Sequence, residues 1–254
     1  MGSIDSLRRD SMKTTGKYIG INQRIPFDVL DAALYRLLRD QTIDKDLIIS
    51  HLKEFTKGEN RALKATQYTV QILSRQENCI RELNKSISAD AYLKLNSTDR
   101  KVIVLSLAAM TYPIFYDLLI ALATGFKVQS PINRQFINLK MASIYGSNRT
   151  LDIALDALIP MIIELNTIER VKTSLYTLAK KSIVSYPAIT ELIIYTDIKL
   201  SGSKSILVDD LLYRPWYMFF EVTIGKKNSY TLFKYDESTI GQGYLTIDGN
   251  ANKV

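Results

Sequence analysis

VIVLSLAAMTYPIFYDLLIALATGF, residues Val102–Phe126, is long enough to cross a bilayer and carries a single charge, Asp117. Arg100 and Lys101 precede it and would suit the flank of a spanning helix. Two residues near its middle argue otherwise. A carboxylate at the bilayer centre costs about 2.5–3.5 kcal/mol, and Pro113 removes a backbone hydrogen bond that lipid cannot replace. The stretch therefore reads as two core helices: one from Asp99 to about Thr111, capped by Ser97 or Thr98, and one from Pro113 to Ala123 that stops at Gly125. Helices apolar on nearly every side belong at the centre of an all-helical core.

Working outward, Pro26–Asp40 places Val29, Leu30, Ala33, Leu34, Leu37 and Leu38 on one helical face. A second helix follows over Asp44–Phe55. After a short link with Gly58 as a stop comes a long amphipathic helix, Arg61–Leu83, with Val70, Leu73, Ile80 and Leu83 inward. Ser88 caps a short helix through Leu95. Pro131–Tyr145, ended by Gly146, and Thr150–Leu165, disturbed by Pro160, are the next two. Residues 168–182, IERVKTSLYTLAKKS, fit a strand pair or a helix, and the pattern does not choose between them. Pro187–Leu200 is helical up to Gly202, and Ile206–Tyr213 adds a turn or two. Trp216–Ile224, a GKKNS turn and Tyr230–Asp236 then carry the aromatic and β-branched signature of a hairpin, with a possible third strand at Tyr244–Ile247.

The expected fold is mainly α, a helical bundle with helix-turn-helix or winged-helix-like elements and a small C-terminal β-hairpin. A polar leader (1–25) precedes a helical domain (26–200), and a C-terminal segment (206–254) follows a seam near Ser201–Ser205.

The chain has 254 residues, 46% hydrophobic and 23% charged, in the range of folded globular chains. Cys79 is the single cysteine, which excludes an internal disulfide and fits a reducing compartment; with no apolar export signal at the N-terminus, the expected location is cytoplasmic. The net charge of +7 is concentrated in residues 1–101 and 127–186, while residues 187–254 are near balance. Such a distribution favours a polyanionic partner.

Catalytic signatures are missing. There is no phosphate-cradling glycine loop, and the pair Gly241 and Gly243 has no helix after it. His51, the single histidine, sits between Ile48 and Leu52 as a partly buried structural residue, so neither a metal nor a cofactor is expected. Asp209-Asp210 reads as a helix start, and Asp117 as a helix-surface aspartate beside Tyr116. The positive signal is a polar, basic stripe. Lys57, Arg61, Lys64, Tyr68, Gln71 and Arg75 recur at helical spacing, and the order short helix, short turn, long helix is compatible with a helix-turn-helix unit laid against duplex DNA. Arg134, Lys140, Arg149, Lys172, Lys180 and Lys181 form a second basic set.

Four stretches, Asn60–Gln76 (NRALKATQYTVQILSRQ), Met110–Phe126 (MTYPIFYDLLIALATGF), Asn148–Glu169 (NRTLDIALDALIPMIIELNTIE) and Leu211–Val222 (LLYRPWYMFFEV), resemble the small A component (BrxA) family of BREX, the bacteriophage-exclusion systems of bacteria. The resemblance implies a soluble, mainly helical cytoplasmic protein that binds double-stranded DNA without enzymatic activity, with other defence-system proteins as further partners. It places DNA contacts on the Asn60–Gln76 helix and near Asn148-Arg149-Thr150. The expected contact set is then Lys57, Arg61, Lys64, Tyr68, Gln71, Arg75, Arg149 and Lys172. The rival reading is a protein-interaction scaffold, docked through the apolar pair and the aromatic hairpin, in which the positive charge serves solubility.

Overall fold

A computed structural model describes residues 17–223, 230–239 and 241–247. Residues 17–25 run as a strap over the helical core and bury Ile21 and Ile25. The strap ends on α1 (Phe27–Asp40), whose apolar face is the one expected. Then come α2 (Lys45–Phe55), capped by the Asp44 side chain, and α3 (Glu59–Arg75), for which Gly58 is the N-cap rather than the stop of α2.

The long helix expected over Arg61–Leu83 is two helices, with α4 (Glu77–Ser86) starting after a break at Gln76. Gln76 is buried and its side-chain amide donates to Thr111 Oγ1 at 3.1 Å. Its own backbone leaves helical geometry (φ −105°, ψ 17°), and α4 buries Cys79, Ile80 and Leu83. Burial pushes the Cys79 thiol up to about 12. α5 (Ala89–Lys94) is capped by Ser88, as expected.

α6 (Ser97–Thr111) and α7 (Ile114–Phe126) are the apolar pair, bent 111° at Tyr112-Pro113. Every residue of α6 from Val102 to Thr111 is buried, because α1, α3, α7 and, once the chain returns, the last long helix surround it. The cap of α6 is Asn96, whose Oδ1 accepts from Asp99 N, not Ser97 or Thr98. Gly125 lies inside α7 and does not end it. A Cβ there would meet Ile132 Cδ1 and Phe136 Cε1, each at 2.6 Å, so the residue is small in order to let neighbours approach. No single helix among the described residues is long and apolar enough to cross a membrane.

Next come β1 (Ile132–Asn133), α8 (Arg134–Tyr145), α9 (Arg149–Glu164), β2 (Ile168–Lys172) and β3 (Leu175–Leu178). The segment the pattern left open is thus a strand pair. These strands form an antiparallel sheet in the order β1-β3-β2, with Ile132 opposite Tyr176 and Ile168 opposite Leu178. Helix, strand, helix, helix, hairpin, with the first strand beside the last, is the arrangement of a winged helix-turn-helix. α9 takes the place of the recognition helix and β2–β3 that of the wing. α9 continues through Pro160 to Glu164. The proline's missing N–H orphans only the carbonyl of Asp156, an exposed residue that water can serve.

β4 (Ser182–Ile183) leads to α10 (Pro187–Ser201), which ends at left-handed Gly202. β5 (Ser205–Leu207) precedes two 3-10 helices, Val208–Tyr213 and Pro215–Met218, then β6 (Phe220–Glu221), β7 (Lys234–Asp236) and β8 (Tyr244–Thr246). The expected hairpin does not form: Trp216–Met218 is helical, β6 pairs in parallel with β4, and β7 pairs with β8, which also holds β5. Its expected turn, residues 225–229, lies outside the described residues. The reason is burial. Trp216, Tyr217, Phe219 and Phe220 are all inside, whereas a half-exposed strand would have turned every second ring to solvent. Trp216 packs against Tyr116 of α7 and donates to Ile193 O of α10, which locks this segment into the main core.

Candidate nucleic-acid interface

Of the expected contact residues on and before α3, Lys57, Arg61, Lys64 and Arg75 are exposed and make no ion pair among the described residues. Tyr68 and Gln71 are different. Both are half-buried where α3 meets the strap and the end of α6. The Tyr68 hydroxyl donates to Asn22 Oδ1 (2.8 Å), and Gln71 Oε1 accepts from the Tyr112 hydroxyl (2.6 Å). The Tyr68 and Tyr112 rings meet edge to face at 5.7 Å. Burial raises both phenols above their ordinary value, so they stay neutral. Gln71 consequently has its acceptor already occupied and is not a free reader of bases.

Across from Tyr68 stands the α8–α9 turn, and between them lies a cleft of about 670 Å³ floored by Lys17–Asn22. Tyr145, Gly146, Ser147, Asn148 and Thr150 form the far wall. The turn is held locally: Gly146 takes a φ of 78° to end α8, and Asn148 Oδ1 accepts from Leu151 N (2.9 Å) to start α9. Arg149, the first residue of α9, is exposed at the rim. The tertiary structure therefore brings Tyr68 of α3 and the Asn148–Thr150 turn to opposite sides of one cleft, although roughly eighty residues separate them in the chain.

Asp117 helps to build this cleft from beneath. It is not the surface aspartate read from the sequence. Its side chain is mostly buried, accepts from the Tyr145 hydroxyl (2.6 Å) and pairs with Lys17 (3.0 Å). Burial, followed by the hydrogen bond to Asp117, raises the Tyr145 phenol and keeps it a donor.

Lys172 lies on the wing, away from the cleft lining, beside Arg170, whose guanidinium lies over the Tyr176 ring. The outward stripe of α9 is not basic beyond Arg149. Asp152, Ile153 and Asp156 follow Arg149, and Asp156 pairs with Arg134 (2.9 Å). Two carboxylates on this stripe, Asp152 already within the first turn, oppose a surface flanked by phosphates, so on this stripe only Arg149 is suited to a polyanion.

The sequence reading missed Lys17, Tyr18, Asn22 and Ser147. The alternation Ile19-Gly20-Ile21 is a short in-out signal that marks an extended, half-buried strap, but it is too brief to stand out from a polar leader. Among the described residues no group of three or more His, Cys, Asp or Glu side chains could hold a metal ion, and His51 is half-buried with its ring against Phe55. Compared with known proteins, the chain matches no family model, no curated protein and no solved structure.

Proposed function

We propose that this chain is a non-enzymatic, double-stranded-DNA-binding accessory protein of a bacterial anti-phage system of the BREX kind, acting in the cytoplasm with other defence proteins. One observation carries the reading: Lys57, Arg61, Lys64 and Arg75, on and just before α3, and Arg149 at the start of α9 are all exposed, and none makes an ion pair among the described residues. Phosphates spaced along a duplex reward cations spread over such a surface. On this reading Lys172 on the wing supplies a further, outlying contact.

Duplex binding followed by fluorescence anisotropy across a salt series tests it. Each neutralised phosphate contributes about −0.9 to the slope of log K against log salt, so the Arg61→Glu/Lys64→Glu/Arg75→Glu variant is expected to flatten the slope by roughly 3. Wild-type binding absent near physiological salt, or a slope unchanged in the variant, refutes the reading. The second reading, a protein-interaction scaffold, is favoured by the α9 stripe and by exposed Leu139, Ile153 and Val171 on the winged unit. It predicts that the triple variant keeps whatever protein partner the wild type holds.

A further inference from the structure

We propose that the cleft between α3 and the start of α9 holds one unstacked nucleotide, its base against the tyrosines and its phosphate over the first turn of α9. The volume, about 670 Å³, falls in the range of about 300–1,000 Å³ typical of small-molecule sites. Three tyrosines line it, Tyr18 from the strap, Tyr68 from α3 and Tyr145 from α8. Tyr18 is the unusual one. It is 87% exposed, yet its ring edge lies 3.2 Å from where a side chain on Gly20 would begin, and Gly20 has a φ of +76°. The strap thus sets Tyr18 in the cleft lining with most of its surface open, as a stacking platform for a base requires.

The polar groups suit the rest of a nucleotide. Tyr68 occupies the oxygen of the Asn22 amide, which leaves its NH₂ free to donate to a base edge. The Ser147 and Thr150 hydroxyls make no hydrogen bond among the described residues, and both stand at the start of the sixteen-residue helix α9, where the backbone N–H groups of the first turn favour an anion. Lys17 adds an ammonium to the lining, held by its pair with Asp117 at 3.0 Å. No carboxylate lines the cleft, which disfavours a cationic occupant.

The nucleotide has two possible sources, a free mononucleotide or an extruded or overhanging residue of a DNA strand; the second form rests on the DNA-binding reading and the first does not. The test uses the full chain, a short duplex carrying a single 2-aminopurine overhang, the matching blunt duplex, and deoxyadenosine monophosphate. Base stacking quenches 2-aminopurine, and calorimetry follows the mononucleotide. Two variants probe the site. Tyr18→Ala removes an exposed ring. Thr150→Glu puts a carboxylate into the cleft lining itself, at the start of α9, where the helix tolerates it but a phosphate does not.

Quenching with tighter binding of the overhang than of the blunt duplex, weakened about ten-fold by Tyr18→Ala and also weakened by Thr150→Glu, is the result expected for a strand nucleotide. Mononucleotide binding lost in both variants, with the two duplexes indistinguishable, is the result expected for a free one, and it stands even if no duplex binds. Overhang, blunt duplex and mononucleotide all indifferent to both variants overturn the proposal, while blunt-duplex binding that still responds to the α3 triple variant leaves the DNA-binding reading intact.

Discussion

Asp197 is a buried charge that ties the C-terminal segment to two core helices, and its removal gives the sharpest test of how that segment is held. The carboxylate is 1% exposed on α10. It accepts from the Tyr116 hydroxyl of α7 at 2.6 Å and from two nitrogens of Arg214, Nε and Nη2, just before the 3-10 turn that carries Trp216. Three elements therefore meet at one side chain. Asp197→Ala would leave the Arg214 guanidinium, 25% exposed, without its counter-charge and the Tyr116 phenol without its acceptor. Breaking a buried pair in this way costs about 3–5 kcal/mol. Asp197→Asn keeps one oxygen acceptor but loses the charge, and should cost about 1.5–3 kcal/mol. Asp197→Leu/Arg214→Met, apolar and of similar volume, should recover much of the loss, because it also removes the desolvation penalty of both ions. Urea unfolding gives the free energies, and the melting temperature of the alanine variant should fall by roughly 6–20 °C for a chain of this size. An alanine variant within about 1 kcal/mol of wild type, or a double variant no more stable than the single one, would refute the reasoning.

Two further outcomes follow from the packing. Gly125→Ala gains about 1 kcal/mol of helix propensity. It also drives a Cβ to 2.6 Å from Ile132 and Phe136, and overpacking costs about 1–3 kcal/mol, so thermal unfolding should show a net loss; a stabilised variant would contradict the close approach of α7 to β1 and α8. Glu191 on α10 accepts from the backbone N–H groups of Thr231 and Leu232, yet burial raises its carboxyl above the ordinary 4.5. The folded chain binds this proton more tightly than the unfolded one, so the contribution of this group to stability is greatest below 4.5 and falls as pH rises toward the folded value. Glu191→Gln keeps an accepting oxygen. Urea midpoints measured from pH 4 to 7 should lose that component of the slope, with stability at pH 7 equal to or above wild type; a slope that persists in the variant would overturn the assignment.

Much of the fold was legible because periodicity reports burial. The inward face of α1, the Ser88 cap of α5 and the helix-proline-helix reading of Val102–Phe126 all follow from one-dimensional spacing. Two failures share a cause. The helix expected over Arg61–Leu83 breaks at Gln76, whose amide meets Thr111, and the C-terminal hairpin is replaced because Trp216, Tyr217, Phe219 and Phe220 are all buried, Trp216 between α7 and α10. In each case the deciding partner is distant in sequence. The basic stripe of α3 was legible in the same local way, but Gln71 and Tyr68 proved to be engaged by Tyr112 and Asn22, which no spacing rule reveals.

The sequence by itself determined that this chain is mainly helical, because 3.6-residue periodicity, caps and prolines are local, and that Val102–Phe126 is a bent pair, because Pro113 interrupts the backbone ladder. The tertiary structure alone decided where the winged unit lies, since its sheet joins β1 to a hairpin more than thirty residues later. It also decided that the strap, α3 and the start of α9 enclose one cleft. Enclosure depends on packing between segments far apart in the chain, and the energies that choose those neighbours are sums over contacts that the local pattern does not contain.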